Sequence, residues 1–321
     1  MKKYLFTVLT VAATFASGLI NTQAQELKGK KVYHIVSYHQ EFSWSGTIIK
    51  TVQDTLTPEG VEVKTFCMDT YRQKSPEHLA EVSAQCKATI EEWKPDVVII
   101  SDDAGMKGVY TPFFHDKDVP FVFCGVNWDA TMYGVPNKNV TGMLEVCPIK
   151  ELLAEMNKLK PGKTIGYIGS DTLTSRKDAE NCAKILGVQM ETVFAKDFAA
   201  WKQGFVDLQS KADLIVIGLN LGISDWDEAA GRKFAEENTK VVTGAFYDFV
   251  DGLALISYNK LASEQGEWAA KTAIQVMKGA SPGSIPVTAN QKGELVINAR
   301  IAKKVGVTPP FEMLQSAKIL E

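Results

Sequence analysis

The stretch PDVVIISDDAG (95–105) decides the fold. Val97, Val98, Ile99 and Ile100 follow one another with no polar residue between them, and Ser101, Asp102 and Asp103 then turn abruptly polar. A strand with one wet face alternates apolar and polar residues. A continuous β-branched run of this length is the pattern of a parallel strand covered by helices on both faces.

The segments on either side repeat the theme. KVYHIVS (31–37), VEVKTFCM (61–68) and VPFVFCGVN (119–127) read as further strands. Between them, Ile48, Ile49, Val52 and Leu56, and then Leu79, Val82, Cys86, Ile90 and Trp93, step by three or four as one face of a helix does; a short helix is expected near 104–114. The order starts again after Pro148. A helix carrying Leu152, Leu153 and Met156 ends at Pro161, and strands follow at 164–170, 188–194, 212–220 and 240–246 with helices between them. Ser175 and Asp178 have capping-box spacing. Two successive sets of alternating strands and helices predict an α/β protein of two Rossmann-like, doubly wound parallel-sheet lobes with a cleft between them. A last helix at about 264–278, a connector GASPGSIP (279–286), a strand ELVIN (294–298) and a short helix finish the chain.

Residues 1–24 read as a cleaved secretory signal peptide: Lys2 and Lys3, an apolar run from Tyr4 to Ile20 diluted by Thr, Ser and Gly, then Thr22-Gln23-Ala24. That run is short for a membrane-spanning helix. A net charge of −3 without a basic block argues against nucleic-acid binding. Five cysteines without a CxxC pair do not make a disulfide framework, and the odd count leaves at least one thiol free; one bond, Cys67 with Cys86 or Cys124, stays open.

Ligands of open parallel sheets bind beyond the carboxyl ends of the strands. Those ends carry Tyr38 and His39 after the first strand, in a loop that runs on to Trp44, then Asp69 after the second, Asp102 and Asp103 after the third and Asn127 after the fourth; in the second set they carry Ser170 and Thr172, Asn220 and Asp248. These side chains suit a small polar or aromatic molecule. The loop SYHQEFSWS (37–45) has two readings: aromatic rings facing a ligand, or local packing in which Phe42 staples the next helix, Ser43 or Ser45 caps it and Trp44 covers the lobe. No GxGxxG follows the first strand, no GxxxxGK[ST] or GxSxG is present, and the four histidines are scattered, so no cofactor, metal site or catalytic set is expected. Asp102 and Asp103 with His39 are the best acid–base candidates, and helix capping explains such a pair as well.

The C-terminal third carries a family resemblance. EQGEWAAKTAIQVMKGASPGSIPV (264–287) and ELVINARIAKKVGVTPP (294–310), with Asn298, Ala302, Gly306 and Pro309 in place, together with VTGM (140–143) and PIKELLAEMNKLKPGKTIGYIGS (148–170), resemble the periplasmic solute-binding proteins of ABC transporters with the type I binding-protein fold, and the branch that includes aromatic amino acid binders. The resemblance implies a lobe of residues 25–141 with about 258–284, a second of 142–257 with about 285–321, and three hinge crossings. It also implies a monomer in the periplasm that closes on an amino-acid-like ligand, contacted by the loops around Tyr38 to Ser45, Asp102, Asn127, Ser170 to Ser175 with Thr174 among them, Asn220 and Asp248, and hands it to an integral membrane ABC permease. The aromatic first loop resembles members associated with signalling kinases, which implies an alternative, a ligand sensor that docks on a receptor kinase.

Overall fold

The structure, a computed structural model, describes residues 27–321; the expected signal peptide lies outside the described residues. The chain forms two compact units. One comprises the chain up to Glu145 with Ala262–Asn290, the other Val146–Leu261 with Gln291–Glu321. Sequence reading placed the three divisions near 141, 257 and 284.

Along the chain, β1 (Lys31–Val36), α1 (Ser43–Leu56), β2 (Glu62–Cys67), α2 (Pro76–Trp93), β3 (Val97–Ser101), β4 (Phe121–Asn127) and β5 (Val140–Glu145) belong to the first unit. The second unit follows with α3 (Ile149–Leu159), β6 (Ile165–Ser170), α4 (Leu173–Leu186), β7 (Met190–Ala195), α5 (Phe198–Leu208), β8 (Leu214–Ile217), α6 (Glu228–Asn238), β9 (Val242–Ala245) and β10 (Ile256–Lys260). The chain returns to the first unit for α7 (Ala262–Met277) and β11 (Thr288–Ala289), and ends in the second with β12 (Gly293–Asn298), α8 (Ala299–Val305), α9 (Phe311–Ser316) and β13 (Lys318–Leu320).

In the first unit the sheet order is β11-β5-β4-β3-β1-β2, and every pairing is parallel. The apolar run that opened the sequence reading sits in the middle and is buried on both faces. Val97 and Ile99 join Val32, Val122 and Cys124 in one core, whereas Val98 and Ile100 join Tyr33, Ile35, Phe121 and Phe123 in the other. The two-residue period of a strand sorts the side chains between the cores. Helix α7 lies against β3 and β4 and alongside α1. Ala269, Ala270 and Ala273 give it a flat face, and at Gly266 a methyl group would meet the Ile48 carbonyl oxygen at 3.0 Å.

The second unit repeats the winding in the order β13-β12-β10-β9-β8-β6-β7. Its one antiparallel pair, β10 with β12, departs from the wholly parallel sheet read from sequence. Trp201 anchors this unit, with its ring stacked on Phe205 at 5.1 Å and edge-on to Trp226 at 5.1 Å.

Several local expectations are corrected. Strand β10 escaped notice because its ISYNK sequence ends in polar residues; Asn259 and Lys260 are nonetheless buried, Asn259 through hydrogen bonds to Asp251. Residues Met106–Phe114 form a π-helix around Pro112, which has no N–H to give to an α-helical ladder. Thr172, not Ser175, caps α4. Neither Ser43 nor Ser45 caps α1, whose N-cap Phe42 offers no side-chain acceptor.

All five cysteines are free thiols. The pairings left open are excluded by the sheet. Cys86 and Cys124 occupy opposite cores, and the alternation of β2 turns Cys67 to the side opposite Phe66, which packs on the core holding Cys86. Cys67 and Cys124 sit three strands apart, roughly 14 Å at the usual strand spacing, whereas a disulfide needs Cα atoms within about 7 Å.

Gly142 on β5 offers a packing test. A methyl group there would lie 2.2 Å from the Phe123 ring. Gly142→Ala is expected to cost about 1–3 kcal/mol through overpacking, measured by denaturant unfolding; an unchanged midpoint would show that the ring moves aside freely.

Candidate functional site

Both sheets reverse direction of winding at one place: between β1 and β3 in the first unit, between β6 and β8 in the second. Helices leave opposite faces there, and the carboxyl ends of the two strands open into a crevice. Most of the sequence-predicted residues fall on these ends; Asn127 and Asp248 follow the neighbouring strands β4 and β9.

In the first unit β3 runs out into Asp102, whose backbone is left-handed at φ 70°. Five residues other than glycine have positive φ among the described residues, and three of them, Asp69, Asp102 and Trp128, lie within two residues of the ends of β2, β3 and β4. Non-glycine residues hold such angles only where their surroundings enforce them, and they gather at functional sites. The surroundings of Asp102 are explicit. Its N–H donates to the Cys124 carbonyl at 2.8 Å, and the Trp44 indole Nε1 donates to its Oδ1 at 3.0 Å. On the neighbouring strand the ladder slips between Cys124 and Val126, so Gly125 comes close enough that a Cβ there would stand 2.6 Å from Asp102 Oδ1. The Gly125 N–H is held in turn by Gln265 of α7, at 2.9 Å. Asp102 is 2 % exposed, so this carboxylate is built into the strand end rather than left in solvent.

Asp103 organises the next loop. Its Oδ2 accepts from the Asn127 backbone N–H at 3.1 Å and from Asn127 Nδ2 at 2.9 Å, and its Oδ1 accepts from Tyr133 at 2.8 Å. The aromatic loop after β1 packs on itself: Phe42 stacks on Tyr71 at 5.6 Å, and Tyr38 stands edge-on to both. His39 lies beside Phe42 and Tyr71, with Nδ1 3.6 Å from Asp69 Oδ1. Burial, and then the Asp102, Asp103 and Glu145 carboxylates, hold the Tyr38 hydroxyl well above its usual pKa. Trp44 packs on the core beside Ile48 while its N–H is committed to Asp102. Ser45 is buried, and its hydroxyl has no hydrogen-bond partner among the described residues.

The second unit offers hydroxyls instead. Ser170 Oγ donates to the Leu221 carbonyl at 2.8 Å and lies 3.3 Å from both Thr172 Oγ1 and Ser175 Oγ. Thr172 Oγ1 accepts from the Ser175 N–H as the cap of α4. Thr174 is half-buried on the first turn of the same helix. Asn220, after β8, is 4 % exposed, and its Oδ1 has no hydrogen-bond partner among the described residues. Asp248 is exposed where a 3-10 turn begins after β9. The switch points thus gather Tyr38, Trp44 and Asp102 in one unit and Ser170, Ser175 and Asn220 in the other. Sequence reading missed Tyr71, which packs on Tyr38 and Phe42, and Tyr133, which holds Asp103; neither carries a local signal. Thr172, read at its strand end, is the cap of α4. Among the described residues no group of three His, Cys, Asp or Glu side chains is placed to hold a metal ion.

Residues 42–320 match a family model described as ABC transporter substrate binding protein. No curated protein matches the chain. Similar solved structures include the ABC domain in complex with L-Trp from Streptococcus pneumonia, 22% identical over 91% of this chain and 99% of that one with a TM-score of 0.64. Another is a conserved domain protein from Vibrio cholerae, 19% identical over 92% and 100% with a TM-score of 0.66. A third is the ligand-free, open substrate binding protein CD0873 from Clostridium difficile, 16% identical over 91% and 99% with a TM-score of 0.69. These likenesses show the fold, that of type I periplasmic binding proteins.

One carboxyl close to Asp248 sets a pH dependence. Burial raises Asp251 to about 6 from an ordinary 3.8. The folded state then binds more protons than the unfolded chain between those values, so its stability falls as pH rises through them. Asp251→Asn is expected to remove that slope. Relative to the parent, the variant gains about 2–3 kcal/mol between pH 4 and pH 7 in urea unfolding; parallel curves for the two proteins would refute the assignment.

Proposed function

The chain belongs to the family of ABC transporter substrate binding proteins, and from that premise we propose that it captures an amino-acid-like ligand with a planar side chain outside the cytoplasm and delivers it to an ABC permease. The family is one of transporter solute-binding proteins, not of enzymes. The observation that carries the reading is Asp102: a buried carboxylate in a strained backbone conformation at the switch point, fixed by the Trp44 indole and approached by Gly125.

Each residue has a role in this reading. Asp102 takes a cationic group of the ligand, with Asp248 as the candidate in the other unit. Ser170 and Ser175, at the amino end of α4, take a carboxylate. Asn127 and Asn220 orient the ligand through amide hydrogen bonds. Tyr38 stacks on the planar part, and Trp44 holds Asp102. The ligand draws contacts from both units, and that shared contact gives it a preference for the closed form. The S. pneumonia relative was solved with L-Trp, which supports the ligand class. The packed rings of Tyr38, His39, Phe42 and Tyr71 favour one second reading, a sensor whose closed form docks on a receptor kinase.

Thermal unfolding of the protein, first refolded from denaturant to free the site, tests the binding role against amino acids, nucleobases, purine nucleosides and short carboxylates. A ligand at a hundredfold excess over its Kd is expected to stabilise by about 2.7 kcal/mol. Asp102→Asn is expected to weaken that ligand at least about tenfold, near 1.4 kcal/mol. No shift with any compound would overturn the reading.

A further inference from the structure

The second unit buries a group of reactive side chains that ligand binding does not use. Cys147, 4 % exposed, is the second residue of the unit, immediately past the crossing at Val146. Its thiol points at Asp178 of α4, with Sγ 3.5 Å from Oδ1. Asp178 is fully buried and accepts at its other oxygen from the Tyr247 hydroxyl at 2.8 Å. The Lys260 ammonium lies 3.9 Å from the centre of the Tyr247 ring. One turn further along α4, on the same buried face, is Cys182. Side chains four apart on a helix lie about 5–6 Å from each other, so a thiol that touches Asp178 is within reach of Cys182.

We propose that Cys147 and Cys182 are a covalent modification site, a thiol pair that closes to an intramolecular disulfide on oxidation by a disulfide reagent. The link fastens the segment entering the second unit to the helix whose amino end carries Thr172, Thr174 and Ser175. It also accounts for the odd cysteine count: one pair in the second unit, and three thiols in the first, where the sheet keeps Cys67, Cys86 and Cys124 apart.

The chemistry is thiol–disulfide exchange. The Cys147 thiolate attacks one sulfur of oxidised glutathione and releases one glutathione thiolate, which leaves as the thiol after taking up a proton. The Cys182 thiolate then attacks the Cys147 sulfur of the mixed disulfide and expels the second glutathione. Two electrons pass to the oxidant, and the two thiol protons end on the departing glutathiones. The Asp178 carboxylate is the nearest acceptor for the proton that Cys147 gives up. Burial raises the Cys147 thiol well above its usual pKa, so exchange requires local opening or happens as the chain folds, and the finished bond is shielded from reductants.

The inference rests on the extracytoplasmic part of the proposed function, since disulfides persist in oxidising compartments. Its test needs no ligand, so failure of the binding role and failure of the thiol pair are told apart. The reduced full-length protein is held in oxidised glutathione with sub-denaturing urea, then unfolded in iodoacetamide and digested for mass spectrometry. The expected result is alkylation of Cys67, Cys86 and Cys124 alone, a linked peptide joining Cys147 to Cys182, and an intact mass about 2 Da lower before alkylation, the two hydrogens lost. Cys67→Ser is expected to keep the link, and Cys182→Ser to replace it with a glutathione adduct on Cys147. Alkylation at all five cysteines, stable glutathione adducts on both Cys147 and Cys182 in the parent, or a link between other cysteines would each overturn the proposal.

Discussion

Burial of the central strands on both faces is the constraint on which the first unit depends. Val97 to Ile100 have no solvent side, so the strand can carry no polar chemistry along its length. Polar groups are pushed to the one place where a covered parallel strand meets solvent, its ends. The change from Ile100 through Ser101 to Asp102 marks that boundary. Strand order then selects among the ends. The winding reverses beside β1 and β3, so no crossover covers their carboxyl ends, and Tyr38 and Asp102 follow those ends.

The carboxylate of Asp102 shows how such an end is maintained. A buried charge is costly unless it is hydrogen-bonded, and a left-handed aspartate adds backbone strain. The Trp44 indole, the Cys124 carbonyl and the slip in the ladder at Gly125 hold the arrangement together. Gln265 contributes from α7, a helix supplied by chain that has already passed through the second unit. The geometry of one site is therefore fixed by parts of the chain about 140 residues apart, which explains why the first unit needs the late insertion: without α7 both the lower core of its sheet and the Gly125 bulge lose their support.

The second unit solves the same topology with different groups. Its switch point carries hydroxyls that satisfy one another, and its titratable side chains lie deeper, around Asp178. Asp178 was legible in sequence only as a helix-capping partner. Its actual contacts, Tyr247 and Cys147, come from strand ends and a crossing far along the chain. The spacing of Ser175 and Asp178 suggested a local hydrogen bond that the helix does not make, because Thr172 reaches the first free N–H groups before Ser175 can.

Sequence alone determined the alternation of strands and helices, the burial of the middle strands and the polar loops that follow them. These follow from local periodicity: hydrophobic spacing is a property of neighbouring residues. Polar strands such as β10 escaped it, since Asn259 and Lys260 look like loop until their partners are in place. Strand order, the antiparallel turn of β12, the strained backbone at Asp102 and the grouping of Cys147 with Cys182 were decided by the tertiary structure. Each depends on contacts between segments tens to hundreds of residues apart, and no local pattern encodes which distant segment will supply the partner.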